Sequence, residues 1–166
     1  MREAVLGGLS LALLAGPPAL ASSPLAGDLG ALAFMIGEWK SVGDPSGPDA
    51  GGTSSIEPDL SGRLLIRRDH VLTTAGQAFD IYMAMYDDGG SLRAEFVDTE
   101  GHVIHYAVTP APDGRSAVFV APASQSGPGF RLTYAAAPGE RLHIRCEIAP
   151  PGGAYKVYAE GDVARR

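Results

Sequence analysis

Along most of the chain, apolar and polar residues alternate one by one, the period of a strand that buries a single face. Phe130, Leu132 and Tyr134 alternate with Arg131 and Thr133, and Leu142, Ile144, Cys146 and Ile148 alternate with His143, Arg145 and Glu147. Runs of strand length cover Thr53–Glu57, Arg63–Thr73, Ala78–Asp87, Ser91–Val97, His102–Thr109, Ser116–Ala121, Phe130–Ala135, Leu142–Ala149 and Ala154–Gly161, and a first run surrounds Trp39. Turn formers separate them: Ser61-Gly62, Ala75-Gly76, Asp88-Gly89, Glu100-Gly101, Asp113-Gly114, Pro138-Gly139 and Pro150-Pro151-Gly152-Gly153. Connections this short make consecutive strands antiparallel neighbours. The predicted fold is all-β, an antiparallel up-and-down barrel of about eight to ten strands, because closing the meander removes its two exposed edges.

Two segments break the alternation. Leu29, Leu32, Ala33 and Ile36 share one face of a helix that Asp28 could cap, which predicts a short helical turn over the closed end of the barrel, just before Trp39. The stretch from Val42 to Thr53 is rich in Gly, Pro and Asp and reads as a surface loop.

Turn length sets the expected register. A two-residue turn at Asp88-Gly89 places Met85 opposite Leu92, Met83 opposite Ala94 and Ile81 opposite Phe96. A three-residue loop at Thr99–Gly101 places Asp98 opposite His102, Phe96 opposite Ile104 and Ala94 opposite Tyr106. Ile81, Met83, Phe96, Ile104, Tyr106 and Asp98 then share the inner face. A four-residue loop at Pro150–Gly153 predicts Cys146 beside Val157 inside, and a Glu147–Lys156 pair outside. The face of His70 stays open, because Leu64, Leu65 and Ile66 are consecutive and hide the parity of that run.

Composition narrows the function classes. The chain has 166 residues, Lys and Arg total 13 against 19 Asp and Glu, and the formal net charge is −6. One domain is the natural expectation, and with no basic run nucleic acid is not an expected partner. Cys146 is the one cysteine, so the fold has no intrachain disulfide and rests on its core. Residues 1–21 combine Arg2, an apolar run from Ala4 to Leu14, a Gly16-Pro17-Pro18 break and Ala19-Leu20-Ala21. That is the layout of a secretory signal peptide, leaving residues 22–166 as the barrel domain and predicting a periplasmic or secreted protein without a stable membrane anchor.

Gly37-Glu38-Trp39 resembles the Gly-x-Trp opening of lipocalins and related calycin barrels. The wider set of Phe34–Trp39, Pro58–Arg63, Asp98–Tyr106, Phe130–Tyr134 and Glu147–Pro151 is similar to a group of uncharacterised bacterial exported lipocalin-like proteins. The resemblance implies a calycin-type barrel, export, and a structural role for Gly37 and Trp39, with Arg165 or Arg166 stacked over the Trp39 ring. Nitrobindin-like haem barrels are a further resemblance, but Lys40–Pro45 departs from the Gly-x-Gly-x-x-Pro stretch that follows their first Trp.

Candidate chemistry is sparse. No nucleophile elbow, zinc-protease motif or phosphate loop occurs, so no catalytic residue or metal ligand set is assigned. Asp98, His102 and Tyr106 converge on the inner face. Asp98 could orient the His102 imidazole, or simply satisfy turn amides at a hairpin end. The expected guest is a small apolar or amphipathic molecule against Ile81, Met83, Phe96 and Ile104, with His102, Tyr106, Tyr134, Asp98 and His70 as polar contacts. The alternatives are haem, bound through His70 or His102, and a filled barrel acting as an interaction module of the cell envelope.

Overall fold

The computed structural model describes residues 25–43, 51–72, 77–125 and 127–166. The proposed leader, residues 44–50 of the expected loop and the Ala75-Gly76 turn lie outside the described residues. The strands are β1 (Gly37–Val42), β2 (Gly51–Asp59), β3 (Leu64–Leu72), β4 (Ala78–Asp87), β5 (Leu92–Asp98), β6 (Val103–Pro110), β7 (Ser116–Ala121), β8 (Gly129–Ala137), β9 (Arg141–Ala149) and β10 (Lys156–Arg165). Each pairs with the next, and β10 returns to β1, so the ten strands form one closed antiparallel barrel. The up-and-down architecture expected from the alternation is the observed one.

The hairpins show what the turns decide. Asp88 and Ser91 exchange backbone hydrogen bonds of 2.9 and 3.3 Å, so the β4–β5 turn is Gly89-Gly90, one residue later than expected. Both glycines have positive φ, 62° and 89°. A type I′ turn needs that at both central positions, and Gly-Gly meets the need with no Cβ at either. Met85 therefore faces Ala94, Met83 faces Phe96 and Ile81 faces Asp98. Each partner moves by two residues, so every side chain keeps its predicted side of the wall. In the next hairpin Phe96 faces Ile104 and Ala94 faces Tyr106, as the three-residue loop predicts.

The last hairpin corrects the expectation. Next to the turn the ladder is already one residue out, so Glu147 faces Val157 rather than Lys156, and a β-bulge between Val157 and Ala159 then places Cys146 opposite Ala159 rather than Val157. The extra residue, Tyr158, is 76% exposed. A bulge absorbs one residue and shifts the ladder, which turn length alone could not reveal. Glu147 instead takes a fork from Arg131, whose Nε and Nη2 donate at 2.6 and 2.7 Å.

The turn before β1 is a 3₁₀ helix, Gly27–Met35, and it buries Leu29, Leu32 and Met35. These recur every third residue, the 3₁₀ period, whereas the predicted face assumed an α-helical one. Ala33, expected to be buried, is exposed. The N-cap is Ala26 without a side-chain bond, so Asp28 does not cap the helix and lies in its first turn.

Trp39 stands inside the same end of the barrel at 2% exposure and donates its indole N–H to Met35 O at 2.9 Å. The Arg165 guanidinium lies 4.7 Å from the Trp39 ring and donates to Ile36 O at 3.1 Å. Gly37 makes room for it: φ there is 150°, and a Cβ would collide with that guanidinium. Helix, first strand and last strand thus meet around one indole. Leu65, Met83, Met85, Ala94, Phe119 and Leu142 complete a fully buried core.

Gly37→Ala should therefore lower stability by about 1–3 kcal/mol, the usual cost of overpacking. In an Arg165→Ala background the same change should cost less, because the collision is gone. A double-mutant cycle in urea checks this, and strictly additive effects would contradict it.

Candidate functional site

In β3, Leu65, Arg67 and Asp69 fall on alternate positions and so share the inner face. Arg67 faces Met83 on one neighbour and Ile56 on the other, both fully buried. In the ring of ten strands, β3 and β8 occupy opposite walls. Arg67 spans the gap: its Nη1–H donates to the Tyr134 hydroxyl. Its Nε–H donates to Asp69 Oδ1 at 2.8 Å, and Nη2–H donates to Oδ2. A guanidinium matches a carboxylate in this two-pronged way, which makes the pair directional as well as charged. The two side chains are only 9% and 5% exposed.

Aromatic rings extend the cluster. Tyr134 meets Phe119 edge to face with centroids 5.5 Å apart, and Phe119 meets Tyr106 the same way at 6.2 Å. Cys146 lies near enough to couple electrostatically to Arg67, Tyr106 and Tyr134. Burial works against the guanidinium charge, but the adjacent Asp69 outweighs it and holds Arg67 firmly protonated. Burial pushes both phenols above their ordinary range, Tyr134 against the opposing pull of Arg67. Both hydroxyls therefore keep their protons and can donate. Tyr106 is 5% exposed overall and no protein partner of its hydroxyl is seen among the described residues, but the hydroxyl oxygen itself is open to solvent, since Arg145 Nε is the buried side-chain polar atom left unpaired among them.

The inner wall beyond this crossing is apolar and reached by solvent. Ile81, Phe96, Ile104, Phe130, Ile144 and Cys146 all occupy inward positions by register, yet each is only half-buried. Met83, expected among the ligand contacts, is fully buried instead. It belongs to the packed part of the interior.

Asp98 and His102 sit at the hairpin end between β5 and β6. Asp98 Oδ1 accepts from the Glu100 and His102 amides, both at 3.0 Å, and Oδ2 lies 2.8 Å from His102 Nδ1. Both readings of the pair are thus met at once: the carboxylate ties the turn and orients the ring. Burial disfavours the Asp98 charge, but the bonds from His102 and Glu100 outweigh it and hold the carboxyl below its usual range. The His102 ring is 56% exposed.

His70 is a correction. Its face was left open and it was offered as a polar contact of the guest, but its Nδ1 lies 2.6 Å from Asp80 Oδ1 and the ring is 54% exposed. Successive strand residues face opposite ways, so an inward Asp69 sends His70 to the outer wall. His70 is outside the barrel, and His102 is tied to Asp98 at its end. No group of three or more His, Cys, Asp or Glu residues able to hold a metal ion occurs among the described residues.

Arg67 and Asp69, the ion pair buried on the inner face, escaped the sequence reading. The run Arg67-Arg68-Asp69-His70 is charged on both faces, so alternation could not say which pair turned inward. On the outer wall the polar residues form ladders instead. Arg131 and Arg145 flank Glu147, and His143 bridges Asp162 and Glu160 at 2.8 and 3.0 Å.

Compared with known proteins, the chain matches no family model and has no significant match among curated sequences. The site is therefore read from its own geometry.

Arg67→Met should destabilise the barrel by about 3–5 kcal/mol, because it strands a buried carboxylate, and adding Asp69→Leu should recover most of that loss in urea unfolding. A single-variant cost that the double variant fails to recover would mean that packing rather than charge dominates. The outer ladder predicts an acid dependence. The hydrogen bond from Arg131 depresses the Glu147 carboxyl. Its stabilisation is fully present above about pH 4.3, the unfolded value, and is lost as pH falls through the folded one. The stability gap between wild type and Arg131→Ala should thus be widest near neutral pH and close in acid.

Proposed function

We propose that the barrel binds a small apolar or amphipathic molecule in its lumen. The apolar part would lie against Ile81, Phe96, Ile104 and Phe130, and the polar end would meet Tyr106 and Arg67, with Tyr134, as fully buried as Met83, holding Arg67 in place. One observation carries this reading: inward apolar side chains stay half-buried on the wall beyond a buried polar crossing. Ligand sites combine such apolar lining with a few converging polar groups, and a barrel of this size is wide enough for a small guest. Asp98 and His102 stand at the end of the β5–β6 hairpin, where they would contact a guest entering from that side.

The leader-like residues 1–21 and the resemblance to exported lipocalin-like proteins support a periplasmic or secreted location. An envelope interaction module is a second reading. It draws on Tyr82, Val97 and Val103, an exposed apolar row across β4, β5 and β6 at 43, 42 and 59%.

The neutral dye Nile red should gain fluorescence on binding the purified barrel. Ile104→Trp, which fills the lumen, should reduce its affinity at least about tenfold, a difference of about 1.4 kcal/mol. Val103→Trp on the outer wall should leave it unchanged. Uptake that responds to Val103→Trp and ignores Ile104→Trp would place the dye outside, and no uptake at all would overturn the binding reading.

A further inference from the structure

The charge balance inside the barrel narrows the class of guest. Arg67 is the buried cation of the lumen, and Asp69 takes two of its N–H groups in a fork. The pair is neutral as a unit. A free carboxylate or phosphate entering the lumen would give up several kcal/mol of hydration and meet no uncompensated positive charge in return. Pulling Arg67 away from Asp69 would leave that carboxylate buried and unpaired, which is worse. The ionised Asp98 at the hairpin end, with its side chain 3% exposed, adds a negative charge on the inner face.

What the lumen does offer is hydrogen-bond donors. The Tyr106 O–H shows no partner among the described residues, and the Arg67 guanidinium carries five N–H groups of which three are engaged here, one of them on the fully buried Tyr134. The Tyr106 hydroxyl is not among the buried polar atoms left without a partner, so water reaches it, and a guest that supplies an acceptor there takes the place of that water.

We propose that the head group of the guest is an uncharged hydrogen-bond acceptor, such as an alcohol, ester or amide carbonyl, and that the lumen discriminates against free carboxylates. This rests on the lumen-binding reading above and deepens it. Asp69 is then a specificity-determining residue that acts by neutralising Arg67.

The test uses the full chain loaded with Nile red and displaced by dodecanol, methyl dodecanoate or dodecanoate at about pH 8. Wild type should prefer the alcohol and the ester over the carboxylate by at least about tenfold, the factor that 1.4 kcal/mol gives. Dodecanoate should compete better as pH falls toward the pKa of its own carboxyl group, while dodecanol should not. In Asp69→Asn, Arg67 loses its counter-charge and the order should reverse in favour of dodecanoate. If that variant does not fold, the wild-type ranking and its pH dependence still decide. Dodecanoate binding wild type as tightly as dodecanol at pH 8 would overturn the charge-balance proposal and leave lumen binding intact. Failure of Nile red and all three probes to bind would instead remove the lumen-binding reading and this proposal with it.

Discussion

A single side chain, Arg67, joins the two opposite walls of this barrel. Its reach from β3 to the Tyr134 hydroxyl on β8 places a charged, directional group where the cross-section of the interior would otherwise be apolar. That group can be buried only because Asp69, two residues on and on the same face, neutralises it. The requirement constrains everything near it. The β3 register must turn both residues inward, β4 must bring Met83 alongside, and β8 must present Tyr134 rather than Thr133. A slip of one residue in either strand would put the pair in solvent and an apolar row outside.

At the helix-covered end the constraint is steric. The indole of Trp39 is held by the Met35 carbonyl and covered by Arg165, and Gly37 leaves the guanidinium its path. The stacking itself is modest, about 0.5–1 kcal/mol for an exposed cation over an aromatic face. Its importance is topological, because it ties the last strand to the first at the point where the barrel closes. Helix side chains Leu29, Leu32 and Met35 complete the packing there. The interior thus changes character along its axis, from close-packed near the helix to solvent-reached apolar wall beyond the crossing.

How far the sequence revealed this depended on local physics. Strands with clean alternation, such as Phe130 to Tyr134 and Leu142 to Ile148, declared their inner faces directly. Parity survived even where the β4–β5 turn was misplaced, since the error moved each partner by two residues. It failed at the start of the β9–β10 hairpin, where a loop one residue longer than expected turns Val157 out, and the bulge after Val157 restores it from Ala159 onward. The helix misled because 3₁₀ and α periods differ little over nine residues, yet they send Ala33 and Met35 to different environments. The ion pair buried on the inner face was invisible for another reason. Alternation finds faces by contrasting apolar with polar residues, and four consecutive charged or ionisable residues from Arg67 to His70 offer no contrast.

The central claim is that the Arg67–Tyr134 crossing separates a packed interior from a lumen open to a guest. Methyl-labelled NMR during a dodecanol titration tests it directly. The account predicts that the methyl groups of Ile81, Ile104 and Ile144 shift and show contacts to the dodecanol chain, while those of Leu65 and Met85 stay in place. Shifts confined to outer-wall methyls such as those of Val97 and Val103, or no shift at any inward methyl, would contradict it.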